Sequence, residues 1–184
     1  MAFDPEEPEE IVAATRRWLQ KAVIGLNLCP FAKPVHARDQ IRFVVSEAET
    51  PEALLADFID ELRILAAAEP EEIETTLLIH PGVLNDFLDY NDFLGVAEDA
   101  VADLGLEGVL QVASFHPDYQ FAGTEPDDIT NYTNRSPYPT LHLLREASVE
   151  RAVAAVQDAS EIYERNMETL RRLGVEGWRR LGIG

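Results

Sequence analysis

The sequence predicts an α/β fold: a single domain with a mixed, largely parallel sheet of about four strands, packed with helices and followed by a long C-terminal helix. Short apolar runs rich in β-branched residues alternate with segments whose apolar residues recur at helical spacing. Strands that alternate with helices pair in parallel through crossover connections. The chain of 184 residues shows no linker, internal repeat or low-complexity segment that would divide it, and this length is typical of one domain.

Four apolar runs predict the strands. They are Ile41–Val45, Thr75–Ile79, Val109–Phe115 and Thr140–Leu144. The first three alternate with helical segments, which favours parallel pairing among them. The direction of the fourth strand is left open, because a long polar loop precedes it.

Helical spacing fills most of the remaining chain. The predicted helices are Glu9–Ile24, a helix from Thr50 to Pro70, a helix from Val83 to Leu104 and a long helix through Val149 and Leu170. Gly25 stops the first helix, and Thr50-Pro51 supplies a cap and a first-turn proline for the second. Asp86–Asn91 is a possible break in the third. The last helix carries a heptad-like stripe, and we favour a helix that lies across the sheet over a coiled-coil dimer.

Two other segments lack helical or strand periodicity. Residues 1–8 are acidic and predict a flexible arm, so that the folded domain covers 9–184. Asn27–Pro34 contains two prolines and predicts a loop or a single turn.

Composition excludes several classes of function. The net charge of -19 opposes binding to nucleic acid or to an anionic membrane surface, since both need cations on the protein. The same charge serves solubility, or alternatively attracts a cationic partner. The acidic N-terminus is unlike a secretory signal, and a single cysteine permits no intrachain disulfide, which together predict a cytoplasmic protein.

His80 and His116 are the first candidates for catalysis. Each follows a predicted strand and precedes a proline, and ligands collect beyond the carboxyl ends of strands in open α/β sheets. An imidazole with a pKa of about 6.5 suits proton transfer near neutrality. The alternative is that each ring caps a backbone carbonyl. Asp118 either orients His116 or forms a turn, and Tyr119 either walls a pocket or pins the loop.

Cys29 is the candidate nucleophile. If Pro30 begins a helix, Cys29 lies at its cap, where the N-terminus lowers the pKa of a thiol. The alternative is a small buried apolar residue, which is the commonest role of a free cysteine. Asn27 in the same loop is a candidate ligand contact.

The loop over residues 117–139 is the third candidate region, because long aperiodic loops in compact domains are usually lids or binding loops. Arg135 is its only cation and contacts either a carboxylate or phosphate of a ligand, or forms a salt bridge with Asp127 or Asp128. The other candidate ligand contacts in and after this loop are Asn131, Asn134, Tyr138 and His142.

A metal site is an alternative. His80, His116 and His142 suit zinc or iron if the fold brings them together. The sequence has no His-x-x-x-His or Cys-x-x-Cys spacing that would place ligands together locally. No phosphate loop, serine elbow or dinucleotide fingerprint is present either.

Three motifs resemble those of a bacterial family, the domain of unknown function 1415. They are Asn27-Leu28-Cys29-Pro30-Phe31-Ala32, the run from Phe115 to Gly123 and Asn134-Arg135-Ser136-Pro137-Tyr138-Pro139. The resemblance covers nearly the whole chain and implies a bacterial protein. It implies no activity, cofactor or catalytic residue.

These observations lead to one expectation and two alternatives. We expect an enzyme-like or ligand-binding domain for a small polar molecule, anionic if Arg135 contacts it, in a Cys/His pocket at the strand ends under the 117–139 loop. The alternatives are a metal-binding protein and a non-catalytic acidic interaction protein. The substrate, reaction, cofactor and oligomeric state stay open.

Overall fold

A four-stranded mixed sheet lies between two helical layers in the computed structural model, which describes residues 7–155 and 159–183. The strands are β1 (Ile41–Val45), β2 (Thr75–Ile79), β3 (Leu110–Phe115) and β4 (Thr140–Arg145). The predicted fold class is therefore confirmed, and each strand lies within one residue of its predicted bounds. Six residues of the predicted arm, 1–6, lie outside the described residues.

The fourth strand enters the middle of the sheet. The strand order is β1-β2-β4-β3, with β1 parallel to β2 and β4 antiparallel to both β2 and β3. The strands β1, β2 and β3 therefore share one direction, and β4 opposes them. Every residue of β2 is buried, as expected for a strand with neighbours on both sides and helices on both faces.

The helices follow the predicted order with several differences in their bounds. They are α1 (Pro8–Trp18), α2 (Ala32–Ala37), α3 (Pro51–Ala67), α4 (Phe87–Asp103), α5 (Glu146–Ala154) and α6 (Ala159–Arg179). A π-helix over Leu19–Ile24 continues α1, and a 3₁₀ helix over Ile129–Asn134 lies within the 117–139 loop. The predicted loop Asn27–Pro34 is non-helical from Asn27 to Phe31, and its last three residues belong to the short helix α2.

Side-chain caps set the starts of α3 and α4. The Thr50 hydroxyl accepts a hydrogen bond from the Ala53 N–H at 3.2 Å, and Pro51 follows as predicted. The Asp86 carboxylate accepts hydrogen bonds from Leu88 and Asp89, so the suspected break in the third helix is its N-terminal cap. The helix therefore begins after Asp86, because the Asp86 carboxylate satisfies the first amides of the helix. The residues from Val83 to Asn85, which were predicted to be helical, belong to the preceding loop.

The predicted long C-terminal helix is present as α6, but the last third of the chain is not one uninterrupted helix. The helix α5 ends at Ala154, and α6 begins at Ala159. Gly174 has a φ of 67° and kinks α6 near its end, a conformation that glycine adopts without steric cost. Val156 of the predicted heptad-like stripe lies outside the described residues.

Alternation along the strands gives each face of the sheet its own core. Leu78, Leu141 and Leu143 point to the face that α3 and α4 cover. Leu77, Phe115 and His142 point to the opposite face, which α1 with its π-helix, α2 and the last two helices surround. Among the described residues, no helix is long and apolar enough to cross a bilayer.

We predict that Gly25→Ala lowers the free energy of unfolding by about 1–3 kcal/mol, the usual cost of forcing extra atoms into a packed site. A Cβ at Gly25 would overlap the Lys21 carbonyl oxygen of the π-helix. Urea unfolding followed by circular dichroism measures the change.

The control is Gly95→Ala on the exposed part of α4, where a Cβ meets nothing within 4 Å. There the change raises stability by roughly 0.5–1 kcal/mol, because alanine favours the helix. Equal effects of the two variants would contradict the steric explanation.

Candidate functional site

His80 and His116 lie together at the end of the sheet, on the side of α4. Both are 0% exposed, and both rings contact the Tyr90 ring, with centroid distances of 5.8 Å and 4.9 Å. The prediction that the fold brings these two distant imidazoles near each other therefore agrees with their positions. Cys29 and His142 belong to the opposite face of the sheet, so these four side chains do not share one pocket.

The two imidazoles hold the loop between β2 and α4. Nδ1 of His80 donates to the Val83 carbonyl and Nε2 of His116 donates to the Leu84 carbonyl, both at 3.0 Å. Nδ1 of His116 accepts from the Asp118 N–H at 3.0 Å. Leu84 has a φ of 60°, a costly conformation for a residue with a Cβ, and the imidazoles hold the carbonyls on both sides of this strained position.

These environments keep both rings neutral. Burial lowers the pKa of His80 to about 4, with a further contribution from the nearby His116. Burial also lowers the pKa of His116, against the opposing effect of the Leu84 carbonyl. Both nitrogens of His116 are occupied by backbone, so the geometry gives this ring no lone pair for a substrate proton. The carbonyl-capping alternative describes what these rings do.

The asparagines of the 117–139 loop are also committed to backbone. Asn131 is fully buried, and its side chain accepts from the Phe121 N–H and donates to the Glu125 carbonyl, both at 2.9 Å. Asn134 donates to the Ser114 carbonyl at 3.0 Å and so ties the loop to β3. Asn27 is exposed, with a φ of 54°, and turns the chain after the π-helix.

Arg135 does not form the predicted salt bridge with Asp127 or Asp128. Its Nε donates to the Tyr119 carbonyl at 3.1 Å and one Nη donates to the Pro126 carbonyl at 2.6 Å. The guanidinium also lies 4.5 Å from the centroid of the Tyr132 ring. Backbone oxygens and an aromatic face thus fix the guanidinium without neutralising its charge.

Arg135 belongs to a groove of about 530 Å³ that we call the arginine groove. Its arginines come from three distant segments, which are Arg17 of α1, Arg135 after the 3₁₀ helix and Arg179 of α6. No Asp or Glu of the described residues lines it. The other lining residues are Ala14, Trp18, Pro117, Tyr132, Ser136, Pro137, Tyr138, Val175, Trp178 and Ile183.

Cys29 lines a separate cavity of about 260 Å³ that we call the apolar cavity. Cys29 is not at the predicted helix cap, because α2 begins at Ala32 with Phe31 as its N-cap. The backbone N–H groups of Phe31 and Ala32 still act to lower the pKa of its thiol. Burial nevertheless outweighs these dipoles and raises the pKa of the thiol. Cys29 is therefore a neutral thiol at neutral pH, and the geometry does not activate it as a thiolate nucleophile.

His142 lines the same cavity from the middle of β4. Its Nε2 lies 2.9 Å from the Thr75 hydroxyl oxygen, and that hydroxyl donates to the Leu143 carbonyl at 2.5 Å. The hydroxyl proton is thus used, so Nε2 of His142 is the donor and Nδ1 carries the lone pair. Burial lowers the pKa of His142 to about 4.

The metal alternative needs three imidazoles in one place, and the fold does not provide this. His142 points to one face of the sheet, while His80 and His116 contact α4 on the other. Within 7–155 and 159–183, no group of three or more His, Cys, Asp or Glu side chains is arranged to hold a metal.

Three residues that matter to these two cavities were not predicted from the sequence. Arg17 and Arg179 lie on exposed helix faces, where arginines are ordinary and carry no local signal. Trp18 is 1% exposed and lines both the arginine groove and the apolar cavity, so it forms their common wall. Helical spacing over Glu9–Ile24 does not indicate which cavities Trp18 borders.

Comparison with known proteins identifies a family without assigning a function. The family model described as "Protein of unknown function (DUF1415)" matches residues 10–180. The chain belongs to this family, which confirms the resemblance read from its three motifs. No curated protein and no solved structure gives a significant match.

The buried histidines predict a loss of stability in mild acid. Folding lowers the pKa of His80 and of His142 to about 4, from about 6.5 in the unfolded chain. Between these values the unfolded chain binds more protons, so stability is fully present above about pH 6.5 and falls toward about pH 4. The slope is at most about 1.4 kcal/mol per pH unit for each histidine.

Urea unfolding from about pH 7 to about pH 4.5 measures this slope. His142→Gln and His80→Gln each reduce the slope of unfolding free energy against pH by the contribution of one histidine. His36→Gln, at a half-exposed position on α2, serves as the matched control. A slope unchanged in both buried-site variants would show that other groups cause the acid sensitivity.

Proposed function

We propose that this member of the family of unknown function binds a small organic anion, a carboxylate or a phosphate ester, in the arginine groove. The observation that supports this most is the convergence of Arg17, Arg135 and Arg179 without an acidic side chain among the described lining residues. The chain has 34 acidic and 15 basic residues. A groove lined by arginines and by no carboxylate of the described residues is therefore not what the overall composition would produce by chance.

Arg135 is the preorganised donor of the groove. Two backbone carbonyls and the Tyr132 ring fix its plane, and Trp178 packs against Tyr132 with ring centroids 5.1 Å apart. Its second Nη makes no hydrogen bond to the described residues and is open to a ligand. A guanidinium held in this way loses little side-chain entropy when it binds a planar carboxylate or a phosphate.

Arg17 and Arg179 supply adaptable charge at the rim. The Arg17 side chain is exposed and has no ion pair or hydrogen bond with the described residues. Arg179 pairs with Glu176 at 2.8 Å, but both side chains are largely exposed, and such pairs contribute little stability. An anion in the groove therefore meets no competing partner at Arg17 among the described residues and only a weak one, Glu176, at Arg179.

The proposed ligand agrees with the one expected from the sequence, but the proposed site is the arginine groove and not a Cys/His pocket. The small anionic ligand and two of the expected contacts, Arg135 and Tyr138, are retained. The ligand lies against the 117–139 loop, which supplies the wall from Tyr132 to Tyr138. Cys29, His80 and His116 have no part in the groove, so the proposal concerns binding and assigns no reaction.

We also propose that the protein acts in the bacterial cytoplasm. The motifs that identify the family imply a bacterial source, and a single cysteine suits a reducing compartment. The acidic surface argues for small-molecule partners over nucleic acid or membranes.

Isothermal titration calorimetry with pyrophosphate and with citrate as probes tests the proposal. We predict that Arg17→Gln weakens binding about tenfold or more, since a charge-assisted hydrogen bond contributes roughly 1.5–3 kcal/mol. Arg135→Lys keeps the charge but loses the fixed fork, and weakens binding to a similar extent.

The matched control is Arg63→Gln, which removes the same charge from an exposed position on α3. It leaves the affinity within about twofold, since its charge is remote and screened by salt. The proposal fails if neither probe binds at millimolar concentration, or if Arg63→Gln weakens binding as much as Arg17→Gln.

A further inference from the structure

The apolar cavity is a second site with a chemistry opposite to that of the arginine groove. It lies between the sheet and the helices on the His142 face, and its walls are almost entirely carbon. The polar side chains that reach it from the described residues are Cys29, Thr75, Gln111 and His142. No charged side chain among the described residues lines it.

The size of the cavity sets the size of an occupant. A cavity of about 150 Å³ in a protein core stays dry and holds benzene. The present cavity of about 260 Å³ therefore has room for a bicyclic aromatic ring or an alkyl chain of comparable volume. Apolar walls favour such a body over water, since water needs two or more polar partners there.

His142 determines which polar group an occupant carries. The hydrogen-bond chain from His142 Nε2 through the Thr75 hydroxyl to the Leu143 carbonyl fixes the tautomer, so Nδ1 is an acceptor. Nδ1 has no hydrogen-bond partner among the described residues, and it is not fully shielded from solvent. It therefore opens onto the cavity that His142 lines. An open acceptor in an apolar wall selects a ligand that carries a donor.

Among the other polar groups, neither Cys29 nor Thr75 adds a second strong requirement. The Cys29 thiol is uncharged, because burial raises its pKa, and a thiol is only a weak donor. The Thr75 hydroxyl is fully used between His142 and Leu143. A charged ligand would lose its hydration without gaining an opposite charge, which disfavours ions strongly.

We propose that the apolar cavity binds a small neutral molecule, with an aromatic or alkyl body and one hydroxyl or N–H group that donates a hydrogen bond to Nδ1 of His142. This site is independent of the arginine groove, because it has different lining residues apart from Trp18 and the opposite preference for charge. The two proposals can therefore fail separately.

Three naphthalene probes of similar shape test the ligand class. They are 2-naphthol, which carries a donor, 2-methoxynaphthalene, which carries none, and 2-naphthoate, which is an anion. Quenching of tryptophan fluorescence reports binding, since Trp18 lines the cavity. We expect 2-naphthol to bind about fivefold or more tightly than 2-methoxynaphthalene, and 2-naphthoate not to displace it.

Three variants test the location and the role of His142. Ala113→Leu places a larger side chain in the wall of the cavity and abolishes binding of both neutral probes. His142→Phe removes the acceptor and equalises the affinities of 2-naphthol and 2-methoxynaphthalene. Thr75→Val keeps the imidazole but removes the hydroxyl that fixes which of its nitrogens carries the proton, so we expect a smaller preference for 2-naphthol. This variant tests the role of His142 even if His142→Phe fails to fold.

Arg63→Gln, at an exposed position on α3, leaves the binding of 2-naphthol unchanged and serves as the control outside the cavity. Equal affinities of the two neutral probes for the native protein would overturn the proposal, as would displacement of 2-naphthol by 2-naphthoate. Undiminished binding to folded Ala113→Leu would place the probe elsewhere and overturn it too.

Discussion

The antiparallel insertion of β4 between β2 and β3 is the constraint on which the rest of the molecule depends. Its backbone pairs with both neighbours, from Ile79↔Thr140 on one side to Leu110↔Arg145 on the other. Without β4, the buried strand β2 would have unpaired amides along one edge, and β3 would have no partner in the sheet. The Tyr90 hydroxyl of α4 links the paired ends of β3 and β4. It donates to the Thr140 carbonyl at 2.7 Å and accepts from the Phe115 N–H at 3.0 Å.

Both candidate sites follow from this insertion. Phe115 and Thr140 are paired, so the intervening chain leaves and re-enters the sheet at neighbouring positions. The 117–139 loop is therefore free to extend toward α1 and α6, where its Arg135 meets Arg17 and Arg179. The same strand places His142 in the centre of the sheet, where Thr75 of β2 fixes its ring above the apolar cavity.

Local signals in the sequence predict much of the fold. Apolar runs locate all four strands, and Thr50 accepts from a first-turn amide of α3, as predicted from a short polar side chain before Pro51. Asp86 does the same for α4, although the sequence predicts a helix from Val83 with a possible break there. The direction of β4 has no local signal, because a strand pairs in either direction and the choice depends on where the loop returns. The π-helix depends on the i−5 hydrogen bond from Gly25 to Gln20, which the periodicity of Glu9–Ile24 does not distinguish from an α-helix.

The candidate sites were predicted less well than the fold, because a residue type alone does not determine its role at the end of a strand. A histidine before a proline at a strand end serves equally to hold a loop or to transfer a proton, and only the surroundings decide. His80 and His116 meet the carbonyls beside Leu84, whose left-handed backbone is unrecognisable from its residue type. The arginine groove gathers side chains from three segments far apart in the chain, so it emerges only after the helices have packed.

The two cavities differ in charge because they form in different surroundings, although they share Trp18. The arginine groove lies between surface elements, where exposed guanidinium groups keep part of their hydration. The apolar cavity lies against the sheet, where burial keeps His142 and Cys29 neutral and leaves only an uncharged acceptor. An indole wall suits both sides, because its faces pack against carbon and attract cations. A ligand suited to one cavity is thus disfavoured in the other, and the selectivity that we propose for the two sites rests on how far each lies from water.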